Sequence, residues 1–172
     1  MTKLISTCPI TDKDHEKLLT KIRVSILLSI SEIKMSTEML KFQSALSLNC
    51  FINECIYNQS ACENKALKEL IRLVKLGLDN NLQPNSQCVL FLAFYKSLYH
   101  CEWCNKLLVS REIEEVFTRQ IEEPKDKNRL KSELLALKKI NNKTSLKVRK
   151  QYELNPYPRW VNLELPIKPY KI

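Results

Sequence analysis

The residues of this chain that could do chemistry are few and far apart. Cys101-Glu-Trp-Cys104 is a CxxC pair with His100 beside it, a spacing that serves metal binding or dithiol redox work. A structural zinc site needs four ligands, and neither a second CxxC nor a histidine pair is present. A thioredoxin-like site needs a βαβ setting, which the pattern described below does not supply. The pair therefore reads as two semi-buried thiols in a helix or turn, and no metal site is expected. Cys50, Cys55, Cys62 and Cys88 fall in apolar helical patterns and read as small core residues. His15 and His100 are the only histidines. Neither has a partner for acid–base or nucleophilic work, and no Ser-His-Asp, HExxH or paired-carboxylate signature is present, so no catalytic residue is nominated. Asn58-Gln-Ser60 and Asn142-Lys-Thr144 match the glycosylation acceptor pattern but read as turn and cap chemistry.

One segment differs in kind. Val148–Trp160, VRKQYELNPYPRW, places Tyr152, Asn155, Pro156, Tyr157, Pro158, Arg159 and Trp160 directly after a short basic helix. Proline stiffness lowers the entropy lost when an extended strand docks. Tyrosine and tryptophan bring large contact area with a polar handle. Arg159 beside Trp160 can stack on a ring or clamp a carboxylate. Two readings follow: a preorganised docking segment, or a tail folded back on its own helices.

The elements that must position these residues are helical. The 172-residue chain has a single glycine, Gly77, where ordinary usage gives about a dozen. Glycine supplies positive φ and lets backbone approach a ligand closely. One glycine cannot build the glycine-rich loop of a Rossmann crossover or a P-loop, and few tight hairpins are expected. The composition predicts an all-α fold, an irregular array or bundle of about six to eight helices joined by Pro, Asn and Ser turns, with an extended Pro-rich C-terminal tail. Residues 1–143 read as the helical domain. Residues 144–172 read as a short basic helix plus the extended Pro/Tyr/Trp segment.

Helix by helix, the apolar spacing and caps are explicit. Asp12 or Asp14 caps a first helix to Lys34, with Leu18, Leu19, Ile22, Ile26, Ile30 and Ile33 on one face. Ser36-Thr37-Glu38 opens a second, carrying Leu40, Leu46, Leu48, Phe51, Ile52 and Ile56 to about Tyr57. Ser60-Ala-Cys-Glu63 fits a capping box before a third, with Leu67, Leu70, Ile71, Val74 and Leu76, that stops at Gly77. A very apolar, central helix starts near Pro84 or Asn85 and carries Val89 to Leu98, with Glu102–Val109 as a candidate partner. Ser110 caps the next, with Ile113, Val116, Phe117 and Ile121 inward; Pro124 ends it or opens another through Leu130, Leu134, Leu135, Leu137 and Ile140. Thr144 or Ser145 caps the last, which ends at Tyr152 or Leu154 before prolines that cannot be helical. The pairs recur about every 34–40 residues, a helical-repeat rhythm without sequence self-similarity.

Charge is uneven. Residues 1–124 hold 15 Lys and Arg against 15 Asp and Glu, whereas residues 125–172 hold 13 against 4 and carry the whole net +9. Such a stretch suits nucleic acid, an acidic partner surface or a solvated helix face. The N-terminus has no apolar signal region, and no run is long enough to span a bilayer. With seven cysteines, an odd number, the chain reads as cytoplasmic with free thiols and no membrane association.

QYELNPYPRW, residues 151–160, resembles the QYEENPYPRW signature of bacterial tetratricopeptide-linked S-adenosylmethionine-dependent methyltransferases, with Leu154 where that family usually has Glu. Further upstream, Leu48-Asn-Cys-Phe-Ile-Asn-Glu54 is similar to their Cys-Phe-x-Asn-Glu stretch, and Ala93-Phe-Tyr-Lys-Ser-Leu98 to their Ala-x-Tyr-x-Pro-Leu helix end, with Ser97 for Pro. Arg119-Gln-Ile-Glu-Glu-Pro124 is similar to their Arg-Gln-Ile-x-Glu-Pro turn, and Thr144–Arg149 to the approach to the signature. The match covers roughly residues 45–163. Some relatives are protein lysine methyltransferases. The resemblance implies the N-terminal helical region of such a protein. Its cofactor loop, an acidic-Gly-x-Gly turn, would follow the signature, and these residues do not contain it. The expectation is an accessory or truncated helical part, not catalytic and binding no cofactor alone. S-adenosylmethionine would belong to a partner, a separately encoded methyltransferase domain. Tyr152, Asn155, Tyr157, Arg159 and Trp160 would form a lid over that partner's pocket. The other readings are an inactive remnant of a split gene and a basic nucleic-acid-binding helical protein.

Overall fold

Helix starts follow the side chains able to accept an early backbone N–H. In the computed structural model, which describes residues 2–7, 10, 12–133 and 142–154, eight α-helical segments succeed one another and no strand occurs among the described residues. The chain is all-α, as its composition predicts. It forms two compact units, Met1–Ser132 and Glu133–Ile172.

In the first unit α1 spans Thr2–Thr7 and α2 spans Lys13–Leu28. Asp12 caps α2 by accepting from the amides of Asp14 and His15 at 3.1 and 2.9 Å. The helix ends six residues before Lys34, because the chain turns at Ser29. Its buried face is Arg23, Ile26 and Leu27, while Leu18 points to solvent. Ser36 caps α3, Thr37–Ile52, through the Met39 amide. The unbroken buried run Ala45–Cys50 places this helix in the middle of the unit, with α1, α5 and α6 against it. It stops at Ile52 and not near Tyr57. Glu54 and Cys55 take positive φ (56° and 55°), and the Cys55 amide closes onto the Cys50 carbonyl at 2.7 Å. Ile56 is consequently 79% exposed.

The capping box predicted at Ser60 is present: the Glu63 amide donates to Ser60 Oγ and the Ser60 amide to Glu63 Oε2. It opens α4, Ala61–Asp79, whose inward face is Leu67, Leu70, Val74 and Leu78; Ile71 and Leu76 lie outward. Gly77 is inside the helix. The left-handed residue is Asn81 (φ 59°), and the Leu82 and Asn81 amides return to the carbonyls of Gly77 and Leu78, a Schellman closure. Gly77 itself has no positive φ, and a Cβ there would meet the Leu82 carbonyl oxygen at 3.4 Å, an ordinary contact. Gly77→Ala is therefore expected to stabilise the chain by about 0.5–1 kcal/mol, read as a higher denaturant midpoint at unchanged m-value.

Asn85 caps α5, Ser86–Ala93, by accepting from the Cys88 amide at 2.8 Å. Val89–Tyr95 are all buried, the centre of the core, and α5 packs on α3 and α4 rather than chiefly on the 102–109 segment. That segment instead holds a 3-10 turn, Cys104–Lys106, following another at Leu98–His100. Ser110 caps nothing: its hydroxyl pairs with Ser86, and α6, Glu114–Phe117, begins after Ile113 without a side-chain cap. Ile113, Val116 and Ile121 are buried and Phe117 is half-buried.

A π turn, Thr118–Glu122, joins α6 to α7, Glu123–Glu133. Pro124 is thus the second residue of α7, in its first turn, and the π turn keeps α7 continuous with α6. Proline has no N–H to give the Gln120 carbonyl, which accepts from the Ser97 hydroxyl at 3.5 Å instead. The π turn also turns two successive side chains, Gln120 and Ile121, fully inward. Gln120 accepts from the Leu98 amide (3.1 Å) and donates to the carbonyls of Ser47 and Ala93 (3.3 Å each), tying α3, α5 and the first 3-10 turn together. Beyond it α7 buries nothing; Leu130 is 51% exposed, and Leu134, Leu135, Leu137 and Ile140 lie outside the described residues.

Gln43 contrasts with Gln120. It is fully buried on α3, and neither amide atom has a partner. A buried unsatisfied amide costs about 1–3 kcal/mol. The nearly isosteric Gln43→Met is expected to raise unfolding free energy by about 1 kcal/mol, measured in urea.

In the second unit the described helix is α8, Lys143–Leu154. Its cap is Asn142, which accepts from the amides of Thr144 and Ser145 at 2.9 and 3.1 Å, two or three positions before the residues the sequence suggested. The predicted extended tail lies outside the described residues.

Candidate functional site

Of the five nominated docking residues, Tyr152 falls within α8 and is 59% exposed. Asn155, Tyr157, Arg159 and Trp160 lie outside the described residues. α8 leaves Leu146, Val148 and Tyr152 bare. Lys143, Lys147 and Lys150, at i, i+4 and i+7, fall in one stripe, and the Arg149 guanidinium is paired with Glu153. The helix therefore offers a basic side and separate apolar side chains.

The CxxC pair closes a turn, the Cys104 amide donating to the Cys101 carbonyl at 3.0 Å. Both thiols are buried, and burial pushes the Cys101 thiol up, slightly offset by Lys96 and reinforced by Cys104. A raised pKa withholds the thiolate that redox or metal chemistry needs. His100 is exposed and stands edge-on to Tyr99. His15 holds Asp12 at 2.7 Å on the surface, and its amide hydrogen bond to that carboxylate is the leading cause holding Asp12 low. Cys50 is buried and Cys55 and Cys88 are half-buried, but Cys62 is exposed, because it sits on the outer side of the first turn of α4. Among the described residues, no group of three or more His, Cys, Asp and Glu side chains could hold a metal ion.

The most developed polar cluster is one that was not nominated. Arg23 of α2 is 1% exposed, with its guanidinium between the rings of Tyr57 (4.6 Å) and Tyr95 (4.4 Å). Its Nη2 donates to the Asn58 carbonyl at 3.4 Å and reaches Glu63 Oε1 at 3.5 Å. Tyr95 Oη donates to the same Glu63 oxygen at 2.9 Å. Glu63 is thus at once the capping-box residue of α4 and the counter-ion of a buried arginine. Burial alone would push its carboxyl up, but the Ser60 amide, the Tyr95 and Ser60 hydroxyls and Arg23 together hold it below its ordinary value. Burial, with the Cys50 thiol nearby, pushes Tyr57 up to about 12, and burial with Glu63 as acceptor pushes Tyr95 up as well. Cys50, adjacent to Arg23, is pushed up to about 12, chiefly by burial. The shifts of Glu63, Tyr57, Tyr95 and Cys50 each favour the ordinary protonation state of that group, which suits anchoring.

A second feature is an apolar groove of about 490 Å³ between the end of α2, α4 and the Leu82–Cys88 stretch. Leu28, Leu73 and Leu82 line it while remaining about half exposed or more. Its polar lining groups are engaged: Glu69 with Arg72, and Gln83 with the Lys106 carbonyl and the Leu108 amide. No described helix is long and apolar enough to cross a membrane.

No protein-family model matches the chain, and no curated protein or solved structure matches it either.

Proposed function

We propose that this chain is the helical, non-catalytic part of a methyltransferase-like protein, serving as a protein-interaction module for a catalytic domain that lies beyond these residues. The reading is carried by the Tyr152–Trp160 segment with its resemblance to the methyltransferase signature. Two structural facts support it. The upstream stretches of the same resemblance supply interlocking contacts within the first unit: Gln120 binds the Ala93 carbonyl, Tyr95 binds Glu63, and Asn49 donates to the Ile5 carbonyl. In the second unit, α8 leads into the signature with exposed apolar side chains and a lysine stripe, the mixture that suits docking against an acidic protein surface. S-adenosylmethionine would be held by the partner domain, with Tyr152, Asn155, Tyr157, Arg159 and Trp160 closing over its pocket.

The test is co-purification with a separately produced S-adenosylmethionine-dependent methyltransferase domain of the kind the signature resembles. Trp160→Ala is expected to weaken docking by at least about tenfold, since a buried tryptophan anchor contributes about 2 kcal/mol or more. Unchanged assembly and unchanged methyl transfer would refute the assignment of the segment.

A further inference from the structure

The Arg23 cluster leaves two donors unaccounted for. Nε and Nη1 are buried and have no hydrogen-bond partner in the protein, although Nη2 is fully engaged. A buried guanidinium with two unmet donors costs several kcal/mol unless something meets them. Beside it lies a small cavity of about 10 Å³, lined among others by Glu16, Arg23, Asn49, Cys50, Asn53 and Tyr57. That is about the room one water molecule requires, and the lining provides the two to four polar groups that a buried water binds.

We infer that this cavity is a built hydration site, in which one ordered water accepts from the free edge of Arg23 and is held in turn by the Asn53 and Tyr57 side chains. The identity of the occupant follows from charge and size. Glu63 already balances Arg23 and Glu16 adds a further carboxylate to the lining, so an added anion would be an uncompensated charge. The space is about what one water-sized species needs. The position suits a fastener. Asn53 donates to the Tyr57 hydroxyl at 3.0 Å across the turn that contains the two positive-φ residues Glu54 and Cys55. A water joining that pair to Arg23 would tie the turn after α3 to α2, where no direct hydrogen bond between Arg23 and either side chain is formed.

The test uses the intact chain. A high-resolution crystal structure grown and soaked in bromide should show one fully occupied, non-anomalous peak at hydrogen-bonding distance from Arg23 Nε or Nη1 and from Asn53 or Tyr57. In solution, water-to-amide Overhauser effects should single out the amides around Cys50 and Asn53, reporting a long-lived buried water. An empty cavity, or an anomalous bromide peak in it, would overturn the inference, as would the absence of any long-lived water signal at those amides.

Discussion

Arg23→Met should destabilise the chain by about 3 kcal/mol, although methionine matches the arginine stem in length and keeps the apolar packing. Removing one member of a buried ion pair strands the other in a medium that solvates it poorly, typically costing about 3–5 kcal/mol. Glu63 retains donors from Ser60 and Tyr95, which places the loss at the lower end. Adding Glu63→Gln to that variant should recover at least about 1 kcal/mol, because glutamine is neutral and still serves the capping box. Urea unfolding of the single and double variants measures both effects. If the double variant is no more stable than Arg23→Met alone, the cost did not come from a stranded carboxylate. Acid reads the same pair. Because the folded carboxyl of Glu63 is held below its ordinary value, its contribution is fully present above the unfolded value of about 4.3 and is lost as pH falls through the lower folded value. Without Arg23 the folded value should rise, narrowing that window.

Phe91→Ala should cost about 3–5 kcal/mol, the range for emptying a phenylalanine site in a packed core. Phe91 is wholly buried on α5, with its ring centroid 5.7 Å from that of Phe94, and α5 is flanked by α3 and α4. Collapse of the cavity would require three helices to shift together. Ile71→Ala on the outer side of α4 serves as the control and should cost less than about 1 kcal/mol, since that side chain is 37% exposed. Equal losses at the two positions would mean that α5 is not the centre of the unit.

Helix existence and most starts were legible because they depend on local chemistry: Asp12, Ser36, Ser60 with Glu63, and Asn85 all cap where their types and spacing indicate. Helix ends were less so. α2 and α3 stop short of their apolar periodicity because tertiary turns intervene, and Gly77 misled because the left-handed residue of that closure is Asn81. Ser110 does not cap α6 because its hydroxyl pairs with Ser86 and with the Glu112 side chain. The Arg23 cluster was missed for a plainer reason: arginine in a helical pattern reads as surface. The signal was available, since Arg23 lies among Leu19, Ile22, Ile26 and Leu27 on the inward stripe, and a charge in that position demands a partner. Its partners come from 34 to 72 residues further along, so their convergence is a property of the fold. The docking segment was the most distinctive feature of the sequence; of its nominated residues, Tyr152 is the one placed on a described element.

The proposed function requires this helical chain to dock on a methyltransferase domain through Tyr152–Trp160. Isothermal titration of the full chain against that domain, with methyl transfer followed in the same mixture, tests it most directly. The expected result is a one-to-one complex at micromolar concentration or tighter, weakened by Trp160→Ala and by salt, with transfer depending on the complex. A domain that neither binds the chain at those concentrations nor changes its methyl transfer when the chain is added would contradict it.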